Sequence, residues 1–266
     1  MFEHDWITAS LLFLLGLIVG SFTNVLIWRM PRRESIVFPG SHCPKCNAPI
    51  KFYHNIPILS YIILGGKCRQ CKEKISFRYP AVELIMGSAY AATYLLHNPQ
   101  GYIDIIRMIL LFPVFVAITF IDWEHLTIPD ELTISIAIVG LATAPFMGGW
   151  QNLIHCLIGG AAGIFLFWLI SILGKKAFRK EALGEGDIFL MGSVGLLVRW
   201  DGMLLTIFLS ALLGTIGGAI MMIFRGKKKK GEDASMIPYG PFIIFATLIT
   251  MIFQDEIIQR YLSLFR

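Results

Sequence analysis

Apolar residues in this chain run in long blocks; they do not recur with the period of an amphipathic helix or a half-buried strand. Residues 6–28, 153–174, 203–224 and 236–253 contain no Asp, Glu, Lys or Arg. About 20 apolar residues cross a hydrocarbon core as one helix, so each block predicts a membrane span. Residues 79–96, 102–121 and 132–150 are weaker blocks that predict three more. The apolar run 188–198 is too short to cross alone unless its flanks extend it. In lipid every backbone N–H and C=O must be paired within the segment, which excludes isolated strands. The pattern therefore predicts an all-α polytopic membrane protein of about eight transmembrane segments, the sixth of them unusual.

One polar interruption stands out. Residues 29–78 carry prolines at 31, 39, 44, 49 and 57, with Gly40, Gly65 and Gly66. Such punctuation predicts turns and short strands instead of long helices. A segment this short buries too little apolar surface to be stable without a staple. The chain thus divides into a first transmembrane segment at 1–28, an insert at 29–78 and a helical bundle at 79–266. The first segment follows acidic Glu3 and Asp5 and is longer than a secretory h-region, which predicts a retained span and not a cleaved signal.

Composition agrees: 56% of residues are hydrophobic and 15% charged, where soluble domains average about 25% charged. The charge map adds orientation. Of 23 Lys and Arg, ten lie in 29–78, four in 174–186 and five in 225–236. With eight segments these three regions share one side, and the positive-inside rule makes it the cytoplasm, leaving both termini outside. The net charge of +5 is then a topology signal. The run Lys227–Lys230 reads as a stop-transfer signal touching anionic lipid headgroups, and no nucleic-acid partner is expected.

The insert holds two CxxC pairs, Cys43-Pro-Lys-Cys46 and Cys68-Arg-Gln-Cys71, with 21 residues between them. A CxxC turn aims two thiolates at one point, and two such turns complete a tetrahedral site for structural Zn2+. The reducing cytoplasm disfavours disulfides, and a redox CxxC pair is a third reading, weakened by there being two pairs and no βαβ context. Four sulfurs close the shell, so His42 and His54 are expected to be bystanders. Cys156, inside an apolar block, is expected to be a small packing residue.

Asp122 ends the third segment, and Asp187 begins the short sixth one within Gly184-Glu185-Gly186-Asp187. The topology brings both to the cytoplasmic membrane boundary. Acids at such depth are costly and tend to mark function. Two carboxylates sharing a site can activate water and protonate a leaving amine. By position alone Glu124, Asp130 and Glu185 compete for that role, and Glu83 inside the second segment is a further polar candidate. A proton- or cation-coupled transporter could use Glu83, Asp122 and Asp187 as a relay. A non-enzymatic assembly factor is the other alternative.

An ordered set of motifs narrows the choice. Gly20-Ser21-Phe22-Thr23-Asn24-Val25 is followed by Arg29-Met30-Pro31; the CxxC pairs enclose Asn55-Ile56-Pro57-Ile58-Leu59-Ser60. Then come Arg78-Tyr79-Pro80 with Val82-Glu83-Leu84, Asp122 with Ile128-Pro129-Asp130, the GxGD at 184–187, and Ile237-Pro238-Tyr239-Gly240-Pro241-Phe242. This set resembles the bacterial type IV prepilin peptidases, which are GxGD-type membrane aspartyl proteases. The resemblance implies that Asp122 and Asp187 are a catalytic pair and that the substrates are prepilins or pseudopilins. It implies leader removal at the cytoplasmic face of the bacterial inner membrane. It also implies methylation of the new N-terminus with S-adenosylmethionine. No Gly-rich loop with a following acid marks a site for that methyl donor. One departure is Phe189, where the family often has lysine.

Overall fold

The computed structural model describes residues 6–96, 102–178, 183–225 and 237–263; the Lys227–Lys230 run lies outside them. The principal helices are α1 (Trp6–Arg29), α2 (Leu59–Ile63), α3 (Arg78–Leu96), α4 (Tyr102–His125), α5 (Asp130–Phe178), α6 (Glu185–Arg225) and α7 (Gly240–Ser263). Among the described residues five helices are long and apolar enough to cross a membrane: α1, α4, α5, α6 and α7. The chain forms two compact units, Met1–Ala117 and Ile118–Arg266.

In the first unit, α1 and α3 pack antiparallel at very close range. A Cβ at Gly16 would lie 2.5 Å from the carbonyl of Met86, and one at Gly20 would lie 2.7 Å from the Cα of Glu83. Spacing Gly16 and Gly20 four apart puts both on one face, the small-residue seam that lets backbones touch in lipid. Asn24, one turn further on, donates to the carbonyl of Tyr79 at 3.1 Å. In α4, Pro113 has no N–H for the carbonyl of Ile109. The buried Tyr90 hydroxyl of α3 donates to that carbonyl at 2.6 Å, so the proline leaves no orphan.

Between α1 and α3 the insert contains no strand, contrary to the expectation of short ones. It holds two 3-10 turns, the short α2 and two isolated bridges, His42 with Pro49 and Lys67 with Lys74. Each bridge closes a cysteine turn and has no neighbouring strand to extend it. The buried Arg29 guanidinium ties the chain back, donating to the carbonyls of Ser35 at 2.8 Å and Pro39 at 2.7 Å. Ile58 sits at φ 60, a backbone conformation that costs a β-branched residue of order 1–3 kcal/mol. Its N–H is taken by the buried Glu83 carboxylate at 2.8 Å.

In the second unit, α5 has 49 residues, about 74 Å of helix, more than twice a hydrocarbon core. It breaks at Gly148 and Gly149. Asn152 spans the break by donating to the carbonyl of Ala144 at 2.8 Å. Likewise α6, 41 residues long, turns at Arg199, whose φ is 66 and whose guanidinium forks onto Asp201 at 3.1 and 2.7 Å. The first part of α6 carries the short apolar run, and its residues 190–195 are all buried. Gly195 meets Gly159 and Gly160 of α5 backbone to backbone, and Gly192 makes room for the side chain of Ile164. A helix walled in by neighbours on nearly every side does not need the length to face lipid. That packing fixes where its first turn, with Asp187, can lie.

Candidate functional site

Asp122 occupies the last turn of α4. The helix stops three residues later because Leu126 turns into the left-handed region (φ 55) and Pro129 follows. A carboxylate at a helix C-terminus faces the negative end of the dipole. The start of α7 compensates: the N–H of Gly240 donates to Asp122 Oδ2 at 2.8 Å. This is one of the N–H groups that a helix start cannot pair internally. Asp122 is only 5% exposed. A Cβ at Gly240 would lie 2.9 Å from Asp122 Oδ2, so a side chain there would push the carboxylate aside.

Asp187 lies in the first turn of α6 and receives the N–H of Gly184 at 3.3 Å. Its dipole setting is favourable from its own helix. The two carboxylates line one open cleft of about 410 Å³, walled by residues 126–128 on one side and Gly184–Gly186 and Phe189 on the other. Gly186 lets the α6 start approach Ile128, whose Cβ would be 3.1 Å from a Cβ at 186. Of the competing acids, Asp130 and Glu185 also line the cleft but are exposed. Glu124 does not line it. Glu83 belongs to the first unit, where its carboxylate accepts the N–H of Ile58. An ionised carboxylate beside a protonated one, open to water and flanked by backbone N–H donors, can hydrolyse a peptide without a covalent intermediate.

The four cysteines converge in the first unit. The sulfurs of Cys43, Cys46, Cys68 and Cys71 all lie within 4.8 Å of one another, and those of Cys43 and Cys71 are 3.9 Å apart. Tetrahedral zinc thiolates have sulfurs about 3.8 Å apart, so the donor set fits such an ion. Both halves are the same turn. Cys43 N–H donates to Ala48 and Asn47 N–H to Cys43; Cys68 N–H donates to Glu73 and Lys72 N–H to Cys68. In each, the residue after the second cysteine is left-handed, Asn47 at φ 55 and Lys72 at φ 61. The N–H groups of Cys71 and Gln70 point at Cys68 and pull its thiol down to about 6. Cys71 receives the N–H of Glu73, but desolvation and the neighbouring sulfurs outweigh it and push that thiol up to about 11. Four crowded thiols cannot all ionise unaided; a divalent cation removes that conflict. His42 bonds the carbonyl of Gly40 and His54 bonds Arg69, so neither joins the cluster. Cys156 is buried and forms no disulfide.

Two features escaped the sequence reading. One is the left-handed residue that follows the second cysteine of each turn, Asn47 in the first and Lys72 in the second. The other is the N–H of Gly240 as the partner of Asp122, a contact that the Pro238-Tyr239-Gly240-Pro241 motif does not reveal by itself.

Comparison with known proteins gives a consistent picture. The family model "Bacterial Peptidase A24 N-terminal domain" matches residues 14–97, and "Type IV leader peptidase family" matches residues 109–219. A prepilin leader peptidase/N-methyltransferase of Aeromonas salmonicida is 32% identical over 97% of this chain and 95% of that protein. The protein of that name from Pseudomonas aeruginosa is 35% identical over 94% and 92%. That from Neisseria gonorrhoeae is 32% identical over 80% and 82%. No solved structure matches the chain.

Proposed function

The chain belongs to the type IV leader peptidase family and is a peptidase; from that premise we propose that it removes the leader of prepilins or pseudopilins with Asp122 and Asp187 as the catalytic pair. The observation that carries this reading is the shared cleft in which both carboxylates are held by backbone N–H groups at helix starts. One aspartate, ionised, takes a proton from the attacking water while the other, protonated, gives its proton to the leaving amine. No acyl-enzyme forms. The glycines at 184, 186 and 240 keep the backbone close enough to orient the two groups.

The same reading assigns eight membrane segments, because α5 and α6 each divide at a break and α3 is added to the five long apolar helices. Basic loops then face the cytoplasm, both termini lie outside, and the cleft opens at the cytoplasmic boundary of the inner membrane. A prepilin, with a polar leader before an apolar helix, would bring its scissile bond to that depth. Cys43, Cys46, Cys68 and Cys71 would hold a structural zinc ion that supplies folding energy to the insert and no chemistry. The relatives' name also carries N-methyltransferase, so methylation from S-adenosylmethionine is proposed as a second step. Among the described residues none is assigned to that donor. The test is mass spectrometry of a prepilin N-terminus after incubation with purified enzyme, with and without S-adenosylmethionine. Leader loss that survives replacement of either aspartate by asparagine would overturn the assignment.

A further inference from the structure

The insert exposes an apolar face that its metal-stapled turns do not account for. Leu59, Ile62 and Ile63 stand at i, i+3 and i+4 and share one side of α2. All three are exposed, Ile63 at 79%, while Ser60 behind them is buried and bonded to the carbonyl of Tyr53 at 3.3 Å. Phe52 is 85% exposed and Phe77 72%.

α2 is also held low. The N–H of Ile58, immediately before α2, donates to Glu83 at 2.8 Å. Glu83 lies five residues into α3, about 7 Å along the helix from its first residue. With α1 and α3 in the bilayer, a reading this inference rests on, that depth is the boundary between headgroups and acyl chains. The insert is also strongly basic. Residues 29–78 carry ten Lys or Arg against two acids, Glu34 and Glu73. Three cations lie over aromatic rings: Arg32 over Trp28 at 3.7 Å, Arg78 over Tyr79 at 5.3 Å and Lys51 over Tyr53 at 5.9 Å. Aromatic bodies with cationic tips are the composition of a membrane interface.

We propose that α2, with Phe52 and Phe77, is an interfacial anchor that docks on anionic lipid headgroups and lays the four-cysteine insert against the bilayer surface. Apolar side chains enter the acyl boundary while the lysines and arginines meet phosphates. A second copy of the chain fits this face poorly, since it would set one basic insert against another. A lipid surface is always within reach of a loop tied at both ends to membrane helices.

The test uses the full metal-loaded protein in liposomes of phosphatidylglycerol and phosphatidylethanolamine. A benzophenone side chain replaces Ile62, or Ile18 on the exposed side of α1, or Gln70 in a cysteine turn, and irradiation products are identified by mass spectrometry. Position 62 should yield at least about ten times more lipid adduct than position 70. Adding Glu83→Ala should cut that yield several-fold, while Glu83→Gln, which keeps an acceptor for Ile58, should retain it. Lipid adducts at 18 but none at 62, or adducts at 62 only to a pilin or a second copy, would overturn the anchor while leaving the membrane reading intact. Absence of adducts at 18 would instead strike the membrane reading and the anchor with it. A membrane-impermeant amine reagent at Lys45 reports independently which side the insert occupies.

Discussion

The four sulfurs of the first unit reach one another through two copies of one local turn, whereas the carboxylates of the second unit share a cleft only because the end of α4 meets the starts of α6 and α7. Cys43 and Cys46 are three positions apart, and a turn of fixed hydrogen bonds aims both. Asp122 and Asp187 are 65 positions apart, and each depends on an N–H from a helix start, that of α7 for Asp122 and that of α6 for Asp187. A site made of local turns should fail locally when a ligand is lost. A site made of helix ends should lose function without losing its fold.

Losing a sulfur probes that contrast with the largest energy. Structural zinc contributes about 10 kcal/mol or more to folding in small units. Cys43→Ser should abolish metal retention and remove hydrogen-exchange protection between residues 41 and 75, with residues 118–263 unchanged, as read by elemental analysis and exchange mass spectrometry. Next in size, Asp122→Asn and Asp187→Asn should each lower kcat for leader cleavage by at least about 10³-fold. The double variant should be no worse than either single one, because the carboxylates act as a unit. Helicity and melting should not move, which circular dichroism checks.

A geometric version is milder. Gly240→Ala places a methyl 2.9 Å from Asp122 Oδ2 and should cost about 10²-fold in kcat, the scale of an ångström-sized misplacement. The change should leave KM for prepilin near its starting value; a rise in KM alone would mean that Gly240 shapes binding and not the carboxylate. The smallest effect lies in the turns. Lys72 is left-handed at φ 61 and Asn47 at φ 55, and asparagine tolerates that region where lysine does not. Lys72→Gly should slow metal loss to a chelator by about 1 kcal/mol, and Asn47→Gly by less. Equal gains at both would show that side-chain contacts, and not backbone strain, set the difference.

Much of this was legible before any coordinates. Charge-free blocks identify membrane helices because a continuous apolar run of about 20 residues suits a helix and not an alternating barrel strand, and CxxC spacing identifies a metal turn because the geometry is complete within a few residues. The GxGD and Pro-Tyr-Gly-Pro motifs located the candidate chemistry through resemblance. The short apolar run 188–198 forms the first part of α6, and the burial of its residues 190–195 is a property of packing that no run length reports. Expected strands in the insert did not form, since proline and glycine spacing reports turns without saying whether any strand is there to pair.

Sequence by itself therefore determined what depends on neighbours along the chain: which segments are apolar, where helices must stop, and which cysteines share a turn. Tertiary structure alone decided that the N–H of Gly240 meets Asp122, that Asp130 and Glu185 stand exposed while Asp122 is buried, and that Glu83 holds the N–H of Ile58. Those outcomes turn on distances between segments far apart in sequence, which close packing of small residues fixes and local propensity does not encode.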